Sequence, residues 1–165
     1  MAVSARHSLK VADEAWIATA LLHTENSARE DFAVGEIVER ARKEALTGEL
    51  RPGVSVHASQ HCVANRPPNP ARYRMLFATG RSRRRLFRPG DSYHPAREGS
   101  KTVPAREEIP EKYHHLVDWY FTEYVGSRKP AEETDPILGL RSLGKEIWAG
   151  EDPDVYVRRL RQGWE

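Results

Sequence analysis

Residues 51–91 decide the fold, and their sequence is RPGVSVHASQHCVANRPPNPARYRMLFATGRSRRRLFRPGD. Residues 54–64 have the apolar spacing of a helix, which Pro67-Pro68 cannot continue because proline lacks the backbone N–H. Two strands come next, at 73–78 and 85–88, and the residues between them form a Gly-containing turn with a basic tip. The stretch therefore predicts a short helix followed by a β-hairpin.

The predicted helix is polar on one side and only thinly apolar on the other. Val54, Ala58 and Cys62 form a narrow ridge. The opposite side carries uncharged groups that both donate and accept hydrogen bonds: Ser55, His57, Ser59, Gln60 and His61. A helix that reads base edges in the major groove needs such groups, and glutamine bonds adenine bidentately. We expect these five side chains to contact DNA bases.

Charge is strongly segregated along the chain. The formal net charge is +2, yet residues 51–101 hold eleven Lys or Arg and only two acids, a local charge of +9, while the remainder is acidic. Such a block is typical of a surface that binds a polyanion. We expect phosphate contacts from the arginines of the hairpin and its flanks: Arg66, Arg72, Arg74, Arg81, Arg83, Arg84 and Arg85. A solvated Arg-rich loop is the alternative.

Helices are predicted on both sides of this segment. Residues 11–23 predict a largely buried helix, and residues 34–46 predict an amphipathic one that ends at Thr47-Gly48. Residues 92–108 predict a loop, and residues 109–125 a further helix with a core-facing stripe of aromatic and aliphatic side chains. The fold class predicted is α+β, mostly helical.

The order helix, helix, thin polar helix and basic hairpin resembles that of the winged helix-turn-helix DNA-binding superfamily, over residues 10–91. The resemblance implies that the third helix enters the major groove of double-stranded DNA and that the hairpin lies beside the phosphates. The winged-helix-like domain, with its extra C-terminal helix, is expected to span residues 1–126. The alternative is a structural α+β domain whose basic hairpin binds an acidic protein.

The C-terminal residues form a separate predicted segment. Residues 127–136 have the composition of a linker, and residues 137–165 are amphipathic but too few to build their own core. Three short patterns, Gly-Lys-Glu-Ile-Trp148, Asp-Pro-Asp-Val-Tyr156 and Arg-Gln-Gly-Trp164, resemble the tails of bacterial antitoxins that wrap PIN-type ribonuclease toxins. The resemblance implies a helical, partner-binding tail in which Arg141 or Lys145 enters the toxin active site. Its expected contact residues are Leu140, Arg141, Lys145, Ile147, Trp148, Tyr156, Leu160 and Trp164. The alternative is a tail that folds back onto its own domain.

Other classes of protein are disfavoured by the sequence. No run approaches the roughly 18 apolar residues of a membrane span, and the N-terminus lacks a signal-peptide apolar region. The single cysteine, Cys62, cannot form an intramolecular disulfide, so we expect a cytoplasmic protein. His57, His61 and Cys62 could suit a metal ion, but no second ligand cluster is evident. No nucleophile or phosphate-loop motif is present, and we predict no enzymatic activity, metal or cofactor.

The resulting hypothesis is a DNA-binding transcriptional autoregulator with an antitoxin-like tail, as a monomer or a homodimer. Two other functions stay open at this point. One is a non-catalytic accessory module that recruits nucleic acid to a restriction–modification or other DNA-processing system. The other is a structural protein-interaction domain.

Overall fold

The computed structural model describes residues 9–126, in which four α-helices and a three-stranded antiparallel sheet occur. The elements are α1 (Val11–Glu25), β1 (Phe32–Ala33), α2 (Val34–Glu44), α3 (Gly53–Val56), β2 (Leu76–Gly80), β3 (Arg83–Leu86) and α4 (His114–Trp119). α3 and α4 each continue as one π-helical turn, over His57–His61 and Tyr120–Tyr124. The predicted α+β class is confirmed.

α1 is the central element of the domain. It packs against α2, α3, β3 and α4, and eleven of its fifteen residues are buried, so it has no wide solvated face. Two of the buried residues are acids, and each is neutralised from a distant segment. Arg51 Nε donates to Glu14 Oε2 at 2.7 Å, and Lys101 Nζ donates to Asp13 Oδ1 at 3.0 Å. The predicted burial of this helix is confirmed.

The hydrophobic core surrounds α1. Fully buried apolar side chains come from every named element between α1 and α4, and the largest are Trp16, Ile17, Phe32, Ile37, Met75, Leu76, Leu86, Leu116 and Tyr120. Tyr120 also donates its hydroxyl to the Phe87 carbonyl oxygen at 2.5 Å, which fastens the end of α4 to the chain after β3. The predicted core stripe of the last helix is confirmed at Tyr113, Leu116, Val117 and Tyr120.

The sheet has the order β1-β3-β2, and both strand pairs are antiparallel. Leu76 pairs with Leu86, and the register shifts between Ala78 and Gly80. Arg81 and Ser82 form the turn of the β2–β3 hairpin. β1 was not predicted from the sequence, because two residues are too few to show the alternation of a strand.

Two predicted helices are shorter and less regular than the sequence indicated. The helix predicted at 54–64 is α3 followed by a π-helical turn that ends at His61. The helix predicted at 109–125 consists of a 3-10 turn (Glu111–Tyr113), α4 and the π-helical turn after it. The predicted loop at 92–108 contains two 3-10 turns, Pro95–Arg97 and Arg106–Glu108.

The predicted linker at 127–136 and the predicted tail at 137–165 lie outside the described residues, as do all eight tail contact residues. Within residues 9–126, no helix combines the length and the hydropathy that crossing a bilayer requires.

His23, on α1, is a buried histidine in an aromatic setting. Its ring lies 4.9 Å from the Phe32 ring and 4.9 Å from the Tyr124 ring, and Nε2 accepts a hydrogen bond from the Leu86 backbone N–H at 3.4 Å. Burial, reinforced by the charges of Arg88 and Arg85, lowers the pKa of His23 to about 4. The imidazole is therefore neutral in the folded protein at pH 7.

This burial makes stability depend on pH. The pKa of His23 is near 6.5 in the unfolded chain and about 4 in the folded protein. Between these two pH values the unfolded state therefore binds a proton that the folded state does not. The free energy of unfolding should fall as the pH drops from 6.5 towards 4, by up to roughly 3 kcal/mol from this residue. Urea unfolding at a series of pH values measures the slope.

The variant His23→Gln isolates this contribution, because glutamine can still accept the Leu86 N–H bond but does not titrate. We expect a clearly flatter dependence on pH between 6.5 and 4. An unchanged slope in this variant would show that other groups are responsible.

Candidate nucleic-acid interface

The polar side chains of the predicted reading helix are only partly available to solvent. We call α3 together with its π-helical turn the α3 segment, residues 53–61. Val54, Ala58 and Cys62 are fully buried, as the predicted apolar ridge requires. Ser55 is exposed, while the other four predicted base contacts are partly buried: His57, Ser59, Gln60 and His61. Val56 is 46% exposed and lies beside Ser55, although its apolar side chain gave no reason to expect this.

The two histidines of the α3 segment lie close together on its partly buried side. Their ring centroids are 4.9 Å apart, and His57 Nδ1 is 3.4 Å from the Cys62 sulfur. Burial, together with the neighbouring His61, lowers the pKa of His57 to about 4, so this ring is neutral at pH 7. Burial raises the pKa of the Cys62 thiol. Within residues 9–126, no three His, Cys, Asp or Glu side chains are grouped as metal ligands.

The four arginines of the hairpin have different environments. Arg81 and Arg83 are exposed, and Arg83 Nε donates to Asp31 Oδ1 at 2.6 Å. Arg84 is 1% exposed, and all its hydrogen bonds go to backbone carbonyl oxygens. Arg85 is 7% exposed and forms a bidentate pair with Asp91, at 2.6 and 2.7 Å. The expectation of four phosphate-contacting arginines in the hairpin therefore does not fit, because Arg84 and Arg85 are directed into the domain.

Arg66 connects the α3 segment with the hairpin turn. Its Nη1 lies 3.4 Å from the Ser59 carbonyl oxygen, and its Nη2 lies 3.3 Å from the Arg81 carbonyl oxygen. Both bonds are long, and the guanidinium is only partly buried. Arg66 therefore lies at the junction between the predicted base contacts and the predicted phosphate contacts.

The remaining two flanking arginines differ in how far they are exposed to solvent. Arg72 is exposed. Arg74 is partly buried, with its guanidinium 4.3 Å from the centroid of the Tyr93 ring and its Nε 3.3 Å from the Ser100 carbonyl oxygen. Because Arg74 stacks on Tyr93 in a cleft of about 510 Å³ lined also by Phe87 and Phe121, we do not include it in the interface.

Much of the basic segment's charge is neutralised inside the domain. Five of the eleven cations form an ion pair with a carboxylate: Arg51, Arg83, Arg85, Arg88 and Lys101. Within residues 9–126, by contrast, six arginines of this segment have no carboxylate within ion-pair distance: Arg66, Arg72, Arg74, Arg81, Arg84 and Arg97. The count of eleven cations thus overstates the charge available to a ligand.

Arg97 is the residue that sequence reasoning missed. It lies in the predicted loop at 92–108, yet it is fully buried in the 3-10 turn Pro95–Arg97. Its guanidinium donates to five backbone carbonyl oxygens: those of Gln60, His61, Arg66, Pro67 and Tyr73. A single arginine in a polar stretch carries no sequence signal that distinguishes a buried donor from a solvated one.

Comparison with known proteins identifies no relative, since no family model, no curated protein and no solved structure matches the chain. The function of the chain is therefore inferred from the geometry of residues 9–126 and from the sequence patterns.

Proposed function

We propose that residues 9–126 are a winged-helix domain that binds double-stranded DNA, with the α3 segment in the major groove and the β2–β3 turn beside the phosphate backbone. The observation that carries the proposal is the contact made by Arg66, which joins an uncharged, partly exposed helical surface to a basic hairpin turn. The element order α1, β1, α2, α3, β2, β3 supports it.

The groups needed for base recognition are available on the α3 segment. Ser55 is exposed, and Ser59 and Gln60 are partly exposed. Serine and glutamine bond base edges, and the exposed Val56 methyl groups suit the methyl group of thymine. His57 is less favourable as a base contact than the other predicted residues, because it is drawn towards Cys62.

The phosphate side of the interface is smaller than the charge count predicted. Arg66, Arg72 and Arg81 have no carboxylate partner within residues 9–126 and are at least partly exposed. Arg83 is exposed but would have to compete with Asp31 for its guanidinium. We therefore assign about three phosphate contacts to this domain.

Replacing both Arg66 and Arg81 by Ala tests these contacts. The double variant should bind every duplex more weakly, since phosphates carry no sequence information. The slope of log Kobs against log salt concentration should also become less steep by about two contacts. Fluorescence anisotropy titrations at several salt concentrations measure both effects.

Arg42→Ala provides the matched control. Arg42 is an exposed arginine of α2 paired with Glu39, and it lies outside the basic segment. This change removes one positive charge, as each of the single changes Arg66→Ala and Arg81→Ala does, and it should leave the affinity and the slope nearly unchanged. Equal effects of Arg42→Ala and of each single change would indicate non-specific attraction rather than an interface.

Gln60→Ala tests the base contacts separately. Removing the amide should lower the preference for one base pair by about 1–3 kcal/mol while the salt slope stays constant. Selection of sequences from a random duplex library by the wild-type protein and by the variant measures this change. An identical selected sequence with identical enrichment at every position would argue against a base contact by Gln60.

We further propose that the tail, residues 137–165, binds a PIN-type ribonuclease toxin and that the whole chain acts as an antitoxin and transcriptional autoregulator. The support is the order of aromatic anchors, Trp148, Tyr156 and Trp164, which are of the kind that dominate protein interfaces. A ribonuclease gene beside this one would favour the antitoxin role. A methylase or helicase gene would favour the accessory module.

Deletion of residues 137–165 should separate the two proposed activities. The affinity for duplex DNA and the melting temperature should remain close to those of the full chain. Binding to the ribonuclease encoded by the adjacent gene should be lost. Calorimetry and anisotropy measure these outcomes. A large drop in melting temperature would mean that the tail is part of the core, which is the alternative of a tail that folds back onto its own domain.

A further inference from the structure

The α3 segment ends without the backbone hydrogen bonds that normally continue a helix. The last four carbonyl groups of any helix lack intrahelical donors. Here the π-helical turn bonds the Cys62 N–H to the His57 carbonyl oxygen at 3.0 Å, and the Ala64 N–H turns away to the Leu76 carbonyl oxygen at 2.8 Å. The Gln60 carbonyl oxygen accepts the Val63 N–H at 3.1 Å, which leaves the carbonyl groups of Ala58, Ser59 and His61 in need of donors from elsewhere.

Two buried arginines supply these donors and also bond the Gln60 carbonyl oxygen, so that each arginine bonds two carbonyl groups. Arg84 donates from Nε to the Ala58 oxygen at 3.1 Å and from Nη2 to the Ser59 oxygen at 3.0 Å. Arg97 donates from Nη2 to the Gln60 oxygen at 2.9 Å and from Nη1 to the His61 oxygen at 2.8 Å. We call this arrangement the carbonyl clamp.

The same two guanidinium groups also bind the parts of the domain that flank the helix. Arg84 is in β3, and its Nη1 donates to the Gly80 oxygen beside the hairpin turn. Arg97 donates to the Arg66 oxygen at 2.7 Å and to the Tyr73 oxygen at 2.6 Å, before β2. The hydrogen bonds of these two planar guanidinium groups thus fix the position of the helix end relative to the hairpin.

The chemistry of the clamp requires arginine. A guanidinium presents donors in a fixed plane, whereas a lysine ammonium is a compact point charge with three rotatable donors. Within residues 9–126, neither Arg84 nor Arg97 has a carboxylate partner. Burial and nearby Arg66 lower the pKa of Arg84 to about 10, and the group is still charged at pH 7. The partial negative charge of the helix C-terminus stabilises both cations.

We propose that Arg84 and Arg97 are positioning residues that fix the α3 segment against the hairpin, and that they thereby determine sequence discrimination without contacting DNA. This inference rests on the proposed DNA-binding function. Base readout needs side chains placed to within about 0.5 Å, whereas phosphate contacts tolerate displacement better. Loosening the clamp should therefore cost discrimination far more than it costs general affinity.

The variants Arg97→Lys and Arg84→Lys, made separately in the full chain, test the inference. The probes are a duplex selected by the wild-type protein from a random library and the same duplex with one base pair changed. We expect the affinity ratio of the two duplexes to fall by about tenfold in each variant. The salt slope should stay at its wild-type value, because neither residue contacts phosphate.

Arg85→Lys is the matched control for loss of stability. Arg85 is also buried and fork-bonded, but its partner is Asp91 and none of its hydrogen bonds reaches the α3 segment. It should lower the melting temperature while leaving the affinity ratio unchanged. Amide hydrogen exchange without DNA gives a second readout: Cys62 and Val63 should exchange faster in the two clamp variants but not in Arg85→Lys.

The outcomes separate the inference from the function on which it rests. A wild-type protein that binds no duplex overturns the DNA-binding proposal and, with it, the role in discrimination. A wild-type protein that discriminates, together with clamp variants that discriminate equally well, overturns the inference alone. A reduced salt slope in either clamp variant would also overturn it, because that result assigns the arginine to phosphate.

Discussion

The ion pairs Arg51–Glu14 and Lys101–Asp13 are the interactions on which the rest of this fold depends. They allow α1, which is surrounded by the other elements, to carry two acids in its buried first turn. A buried charge without its partner costs several kcal/mol, so each cation has to be placed correctly for the core to close. Both cations come from the ends of the basic segment, residues 51 and 101. The segment is therefore tied to the centre of the domain at both ends.

This requirement changes the meaning of the segregated charge. A block of +9 suggests an outward-facing polycation, but more of its members neutralise internal carboxylates or bind internal carbonyl groups than remain available to a ligand. The proposed interface that remains is therefore small. In the proposed DNA-binding role the placement of a few side chains would decide discrimination between sequences, which is where the buried guanidinium groups of Arg84 and Arg97 would act.

The sequence was sufficient for the parts of the fold that follow a regular period. The 3.6-residue spacing of apolar side chains predicts α1, α2 and the buried ridge Val54, Ala58 and Cys62, and the turn residues predict the β2–β3 hairpin. β1 and the π-helical turns could not be predicted, because they arise from tertiary contacts rather than from local pattern. The predicted DNA contacts of the α3 segment and of Arg66, Arg72 and Arg81 remain predictions.

The two-residue alternation of side chains in a strand explains the burial of one hairpin arginine but not of the other. Side chains two apart in a strand share a face, so Arg84 lies on the same side as the fully buried Leu86. The predicted strand begins at residue 85, whereas β3 begins at Arg83, so the sequence prediction places Arg84 in the turn and not on this inward face. Arg85 lies on the other face, and its burial depends on Asp91 and on the Phe77 ring 4.5 Å away, which no local pattern indicates.

The connection between the α3 segment and β2 has a consequence for how this domain can diverge. The Met75 and Leu76 N–H groups both bond the Cys62 carbonyl oxygen, at 3.1 and 2.9 Å, so the two ends of the intervening proline-rich stretch are fastened to each other. Insertions or deletions at residues 68–72 would change the length of this loop, while the hydrogen bonds between its two ends would stay in place. Evolution could then vary the length and charge of this loop, and with them the overall attraction to a polyanion. The residues proposed to recognise a DNA sequence would not have to change.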